Sequence, residues 1–208
     1  GPSLQMGSME NTHAETIKWI NESEAAGKPW FVCLDEIGPA HTGVKPDEVD
    51  FRHDDVRSYA LWGNLMAGGA GCEWYFGYRY EHNDLNCEDW RSREQMWKQT
   101  RIALDFFQKQ LPFTRMRAVD SLVSSREAYC FAEPGEVYAV YLPDAEAARL
   151  EVPAGKYRVS WYNPRTGGEL EEGGVQLIEG PGEIGLGLPP DEIQHDWVVL
   201  VRRIQDLE

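Results

Sequence analysis

The run Trp30-Phe31-Val32-Cys33-Leu34 ends on the adjacent carboxylates Asp35 and Glu36 and then on Ile37-Gly38, and it constrains the fold more than any other segment. Five consecutive apolar residues suit a strand covered on both faces, as in a parallel sheet beneath helices, better than a half-solvated antiparallel strand. In α/β proteins the groups that do chemistry sit beyond the C-terminal ends of such strands. Asp35 and Glu36, followed by a loop of Gly, Pro and His, occupy that place. On this segment alone two readings stand open: a functional pair, or a strand end whose carboxylates are merely solvated.

The flanking segments give the class. Between Asn11 and Ala26 the spacing of Ala14, Ile17, Trp19, Ile20 and Ala25 is helical, Thr12 and Glu15 suit a capping box, and Gly27 suits a C-terminal stop. After the strand comes a long loop, then a second helix from about Asp54 to Met66, a Gly68-Gly69-Ala70-Gly71 turn and another short strand, Cys72 to Phe76. An acidic, aromatic loop from Gly77 to Asp89 leads into a third helix, Trp90 to Gln110. Asp89 is its expected N-cap, and Met96, Trp97, Ile102, Leu104, Phe106 and Phe107 its apolar face.

Beyond Leu111-Pro112 the period becomes two, with strands expected at Ala128–Ala132, Val137–Leu142, Arg149–Val152, Lys156–Asn163, Val175–Ile178 and Trp197–Arg203. The expected class is therefore α/β over residues 1–112 plus all-β, an antiparallel β-sandwich, over 118–208. Two or three parallel strands alone would leave sheet edges unpaired. The α/β part then reads as the last β/α units of an incomplete TIM-type barrel, whose earlier strands precede residue 1. Gly1 to Ser8 reads either as an expression scar or as native sequence.

Composition narrows the partners. Twenty Lys plus Arg stand against 35 Asp plus Glu, a formal charge of -15, and such a field repels nucleic acid and anionic membranes. No run approaches the roughly 18 apolar residues of a membrane span, and no signal peptide precedes the first helix. Eight Trp and nine Tyr suit neutral ligands, although most of these rings are expected in the core. Cys33 and Cys72 are expected as buried free thiols, and a disulfide through Cys87 or Cys130 stays open for a secreted protein. Asp84, Asn86, Glu88 and Asp89 are calcium-type ligands at the wrong spacing for an EF-hand, and helix capping accounts for two of them. No metal and no cofactor are expected.

Three segments carry a resemblance. Trp30 to Gly38, Leu61-Trp62-Gly63-Asn64-Leu65-Met66-Ala67-Gly68-Gly69-Ala70-Gly71-Cys72-Glu73-Trp74-Tyr75-Phe76-Gly77, and Asn83 to Arg91 are similar to a bacterial glycoside hydrolase family. Its members pair a (β/α)8 barrel with a C-terminal β-sandwich that carries the label collagen-binding domain of a collagenase. Val159-Ser160-Trp161-Tyr162-Asn163-Pro164-Arg165-Thr166-Gly167-Gly168 resembles the signature turn of that sandwich.

The resemblance implies a retaining glycosidase, with an acid/base carboxylate after the fourth strand and a nucleophilic Glu after the seventh. Glu36 would be that nucleophile. Alternation places Val32, Leu34 and Glu36 on one face and Phe31, Cys33 and Asp35 on the other, with Asp35 a supporting partner. Retention needs two carboxyl groups about 5 to 5.5 Å apart, and the fourth-strand member lies outside this chain. Glu73 is a weaker local candidate.

His41, Trp74, Tyr78 and His82 are the other expected substrate contacts, with Trp74 the preferred stacking platform. The partners implied are a carbohydrate and the upstream barrel portion of a secreted or periplasmic parent, and the chain alone is expected to be inactive. The alternative is a non-catalytic carbohydrate- or collagen-binding module, but no residue feature favours recognition of a collagen triple helix. Asn163 to Gly168 reads first as a turn, and Tyr157, Trp161 and Tyr162 serve equally as a sugar face or as core.

Overall fold

The computed structural model describes residues 1–145, 147–191 and 193–204. The chain divides into two compact units, Gly1–Ala103 and Leu104–Glu208. The division falls inside the third helix, ahead of the turn where the composition changes. Phe106 and Phe107 explain the position: they pack on Tyr162 and Phe131 of the second unit, with ring centroids 4.7 and 5.9 Å apart.

The first unit holds a small parallel sheet. Strand β1 (Ser3–Met6) pairs in parallel with β2 (Cys33–Ile37) across helix α1 (Thr12–Ala25). On its other side β2 meets the chain at Cys72, where the Leu34 N–H donates to Gly71 O at 3.0 Å and the Glu73 N–H donates to Leu34 O at 2.7 Å. The expected strand Cys72 to Phe76 thus shrinks to one ladder bridge. Strand β1 falls within the segment that reads equally well as a scar, because four residues are too few to show a period. Among the described residues the sheet does not close into a barrel, and no helix is long and apolar enough to cross a membrane.

Only one face of this sheet is covered. Leu4, Val32, Leu34 and Ile37 are buried, whereas Gln5 and Glu36 are exposed and Phe31 keeps 67% of its surface. The expected alternation fails at Asp35. Leu4 pairs with Leu34 but Gln5 pairs with Glu36, so β2 carries one extra residue here, a β-bulge. Ile37, and not Glu36, continues the buried row of Val32 and Leu34.

Helix α1 also departs from its pattern. It buries Thr12, His13, Thr16 and Ser23 and leaves Ile17, Trp19 and Ile20 half-exposed. The next helical segment explains the choice, a π-helical stretch (Val56–Trp62) running into α2 (Gly63–Met66). His13 Nδ1 lies 2.8 Å from Gly63 O, and Asn64 Nδ2 donates to Thr16 Oγ1 at 3.3 Å. Polar contacts thus join the facing helices, which periodicity of apolar residues cannot reveal. Thr12 lies inside the helix behind Asn11, whose side chain makes no cap bond, so the capping box does not form. Helix α3 (Glu94–Gln110) follows a 3-10 turn at Trp90–Arg93 that Asp89 caps as expected, its Oδ1 accepting the Arg91 N–H at 3.1 Å. The buried face runs from Arg93 in that turn through Met96, Gln99, Ala103, Phe106 and Phe107 of α3, and Leu104 points outward.

The second unit is a six-stranded antiparallel sheet in the order β3-β4-β5-β8-β6-β7. The strands are β3 (Arg117–Ala118), β4 (Tyr129–Glu133), β5 (Val137–Leu142), β6 (Arg149–Tyr162), β7 (Leu177–Gly185) and β8 (Trp197–Arg203). Strand β6 joins what the sequence presents as two strands. Val152 faces Gly182 and Gly155 faces Gly180, so β6 gains one residue on β7. This bulge slips the period by one, and Leu150 and Val152 before it reach the same core as Tyr157, Val159 and Trp161 after it. Cys130, Tyr138, Val140, Trp197, Val199 and Val201 complete that core.

Candidate active site at the end of β2

The C-terminal ends of β1 and β2 form the floor of an open pocket of about 190 Å³, lined by Gln5, Met6, Gly7, Glu36, Ile37, Gly38, Ala40 and Tyr75. The Gly38 N–H donates to Met6 O at 2.7 Å and ties the two strand ends together. The bulge at Asp35 turns Glu36 to the uncovered side, where its carboxylate reaches the pocket.

Tyr75 forms the wall. Its hydroxyl donates to Ala40 O at 2.6 Å. Partial burial, then the charges of Asp84 and Glu36, push its phenol above the ordinary value, so the ring keeps its proton and remains a donor. Asp35 and Glu73 both bear on Cys33, whose thiol is pushed up first by burial and then by Asp35 and Glu73. Neither carboxylate lines the pocket with Glu36.

Two loops bring Ala40 and Tyr75 to the pocket. The loop after β2 and the chain after Cys72 are joined by the Val44 N–H donating to Tyr75 O at 2.8 Å, and by the Tyr78 and Arg79 N–H groups donating to His41 O at 3.2 and 3.0 Å. His41 thus contributes its backbone to the rim and leaves its side chain exposed. Tyr78 is exposed beside it. His82 adopts a positive φ of 54°, and its Nδ1 accepts the Asp89 N–H at 3.2 Å, which turns this ring atom toward the helix start.

Trp74 is placed differently from the expectation. Its ring is buried and its indole N–H donates to Thr100 Oγ1 of α3 at 3.0 Å. The aromatic group on the pocket is its neighbour, Tyr75.

Arg93 is a residue that the sequence gives no reason to single out. It is fully buried, donates from Nε to Val44 O at 3.2 Å, and donates from Nη1 to Glu81 O and His82 O, both at 3.0 Å. Its guanidinium lies 4.7 Å from the Phe76 ring centroid. Burial pulls its pKa below the ordinary value, and Cys87, Asp84 and Asp47 oppose that.

The oxygen-rich loop is occupied with its own backbone. Asp84 Oδ2 accepts the Phe76 N–H at 2.6 Å, and Asp89 caps the helix start. Among the described residues no group of three His, Cys, Asp or Glu side chains converges as a metal site. The four cysteines are free thiols, with Cys130 buried and Cys87 exposed.

The signature turn of the second unit is accounted for by structure. Asn163 Oδ1 accepts the N–H groups of Arg165 and Thr166 at 3.0 and 3.2 Å. Arg165 lies 5.5 Å from the Trp197 ring and 3.7 Å from Asp196, which also accepts the Tyr141 hydroxyl at 2.7 Å. Tyr157, Trp161 and Tyr162 are buried and present no ring face to a ligand.

No family model matches the sequence, and no curated protein matches it. Solved structures do. A family 5 glycoside hydrolase from Bacteroides vulgatus aligns at a TM-score of 0.68 and 14% identity, covering 100% of this chain and 52% of its own. A second structure, described as a glycoside hydrolase, aligns at 0.66 and 15% identity, covering 91% of this chain and 46% of its own. The fold resembles part of a glycoside hydrolase. The chain spans about half the length of the structures it matches, and at these identities the likeness concerns the fold alone.

Proposed function

We propose that this chain is the C-terminal part of a retaining glycoside hydrolase, with Glu36 as the nucleophile and the acid/base carboxylate on a strand upstream of it. The observation that carries the reading is the exposed Glu36 carboxylate on an open pocket at the C-terminal end of parallel strand β2, walled by Tyr75. Parallel sheets place reactive groups at that end. The uncovered face of the sheet and the open edge of β1 support the reading, since neighbouring strands of a larger sheet would cover both. In this reading Glu36 attacks the anomeric carbon, the leaving oxygen takes a proton from the missing acid, and water later releases the sugar from the glycosyl ester. Tyr75, with Tyr78, His41 and His82 on the rim, would contact the sugar. Asp35 would sit beside the nucleophile without touching the pocket.

The test uses a protein extended upstream to include a complete barrel, assayed on aryl glycosides and on polysaccharides. Glu36→Gln should lower kcat by on the order of 1,000-fold while stability stays within about 0.5 kcal/mol, as at other exposed positions. Azide should rescue Glu36→Ala by forming a glycosyl azide of inverted configuration, which only a nucleophile variant does. The 208-residue chain alone should show no turnover. Normal turnover in Glu36→Gln sinks the assignment.

A further inference from the structure

We infer that Arg93 is a positioning residue that fastens into one unit the two loops that bring Ala40 and Tyr75 to the pocket of Glu36; this rests on the pocket being the glycosidase site proposed above. The guanidinium reaches backbone carbonyls of both loops. Val44 lies on the loop that begins at Gly38 and carries Ala40 and His41, and its carbonyl accepts Nε–H at 3.2 Å. Glu81 and His82 lie on the loop that follows Tyr75, and their carbonyls accept Nη1–H at 3.0 Å each. The Ser92 hydroxyl sits 2.7 Å from the same nitrogen, and the Phe76 ring lies against the cation at 4.7 Å.

A planar fork can serve acceptors in different directions, which an ammonium on a flexible stem cannot do with the same geometry. Arg93 is fully buried, so its own N–H groups depend on these carbonyls and on Ser92 rather than on bulk water. Tyr75 is gripped from both sides of this clamp. Its carbonyl accepts from Val44, its hydroxyl donates to Ala40, and the next residue, Phe76, packs on Arg93. Glu36 is held independently, by the β1–β2 ladder. The structure therefore separates the nucleophile, fixed by a strand, from the sugar-facing wall, fixed by Arg93.

Two measurements on Arg93→Lys and Arg93→Met test this. The first is amide hydrogen exchange on the 208-residue chain. Hydrogen bonds from a charged donor are worth roughly 10- to 100-fold in an opening equilibrium, so residues 38–44 and 77–82 should lose protection together by that factor, while β5 and β8 are unchanged. Loss in one loop only, or in neither, overturns the clamp. The second is the kinetics of Arg93→Lys in the upstream-extended enzyme, where KM should rise about 10-fold or more with kcat within about twofold, since misplacing a binding wall costs binding before chemistry. An equal fall in kcat with KM unchanged overturns the positioning role. If Glu36→Gln keeps its turnover, the reading of the pocket falls, and the exchange experiment still decides whether Arg93 joins the loops.

Discussion

Gly77 shows how tightly the rim is built. Its φ is 64°, and a Cβ there would lie 2.7 Å from the carbonyl oxygen of His41. That oxygen already accepts two N–H groups, from Tyr78 and Arg79. Alanine would thus meet both an unfavourable backbone region and a backbone atom with no room to retreat. Gly77→Ala is expected to cost about 1 to 3 kcal/mol, read as a lower urea midpoint for the first unit by tryptophan fluorescence. An unchanged midpoint would show that the two loops tolerate separation, and would weaken the case for a single wall. At the same scale Trp74 and Tyr75 exchange the places that their chemistry suggests. Indole is the better sugar platform in isolation, but here its N–H is consumed by Thr100 and its faces by packing. Neighbouring residues in extended chain point to opposite sides, so fixing Trp74 inward leaves Tyr75 to the pocket.

Elements were legible from sequence where the period was clean and became ambiguous where a bulge interrupted it. The strands Val137–Leu142 and Trp197–Arg203 fall at their expected bounds because period-two alternation and turn residues frame them. Strand β6 splits into two when read by period alone, since its core residues change parity between Val152 and Tyr157. The same cause misplaces Glu36. One extra residue at Asp35 moves it off the face of Val32 and Leu34, and alternation carries no signal for that shift. Arg93 was invisible for another reason: an arginine at a helix start reads as solvated until the carbonyls of distant loops are seen to surround it. The β6 bulge makes a measurable demand on β7. It pushes the Pro153 carbonyl against Gly180, where an added Cβ would collide with that oxygen and lie 3.0 Å from the Pro153 carbonyl carbon. Gly180→Ala should therefore destabilise the second unit by about 1 to 3 kcal/mol, the usual cost of overpacking. Gly174→Ala is the control, as its nearest contact would be an ordinary 3.5 Å from Leu188 N. Equal midpoints for the two variants would mean that the bulge relaxes freely.

At the scale of the whole molecule the two units differ in how fully their sheets are covered. The second has a closed core and buries both sides of its central strands, as Tyr138, Val140, Ala139 and Tyr141 of β5 show. The first leaves one face of its sheet uncovered, with Gln5 and Glu36 exposed on it. Closure of the second core has a consequence in alkali. Burial raises the pKa of the Cys130 thiol and of the Tyr138, Tyr157 and Tyr162 phenols, with Tyr162 pushed up to about 12. The unfolded chain gives up these protons near 9.0 for the thiol and 10.0 for the phenols, while the native unit keeps them. Above those values the native state binds more protons than the unfolded one, so stability falls as pH rises. For Tyr162 the contribution is whole below pH 10 and is lost between 10 and about 12. Urea midpoints of the second unit, followed from pH 8 to 11.5, should hold level to about pH 9 and then decline. Tyr162→Phe keeps the ring against Phe106 but removes the proton, and it should make the decline shallower from about pH 10 to the end of that range. The same slope in both proteins would mean that Tyr162 titrates in the native state as it does in the unfolded chain, and that the core around it admits water.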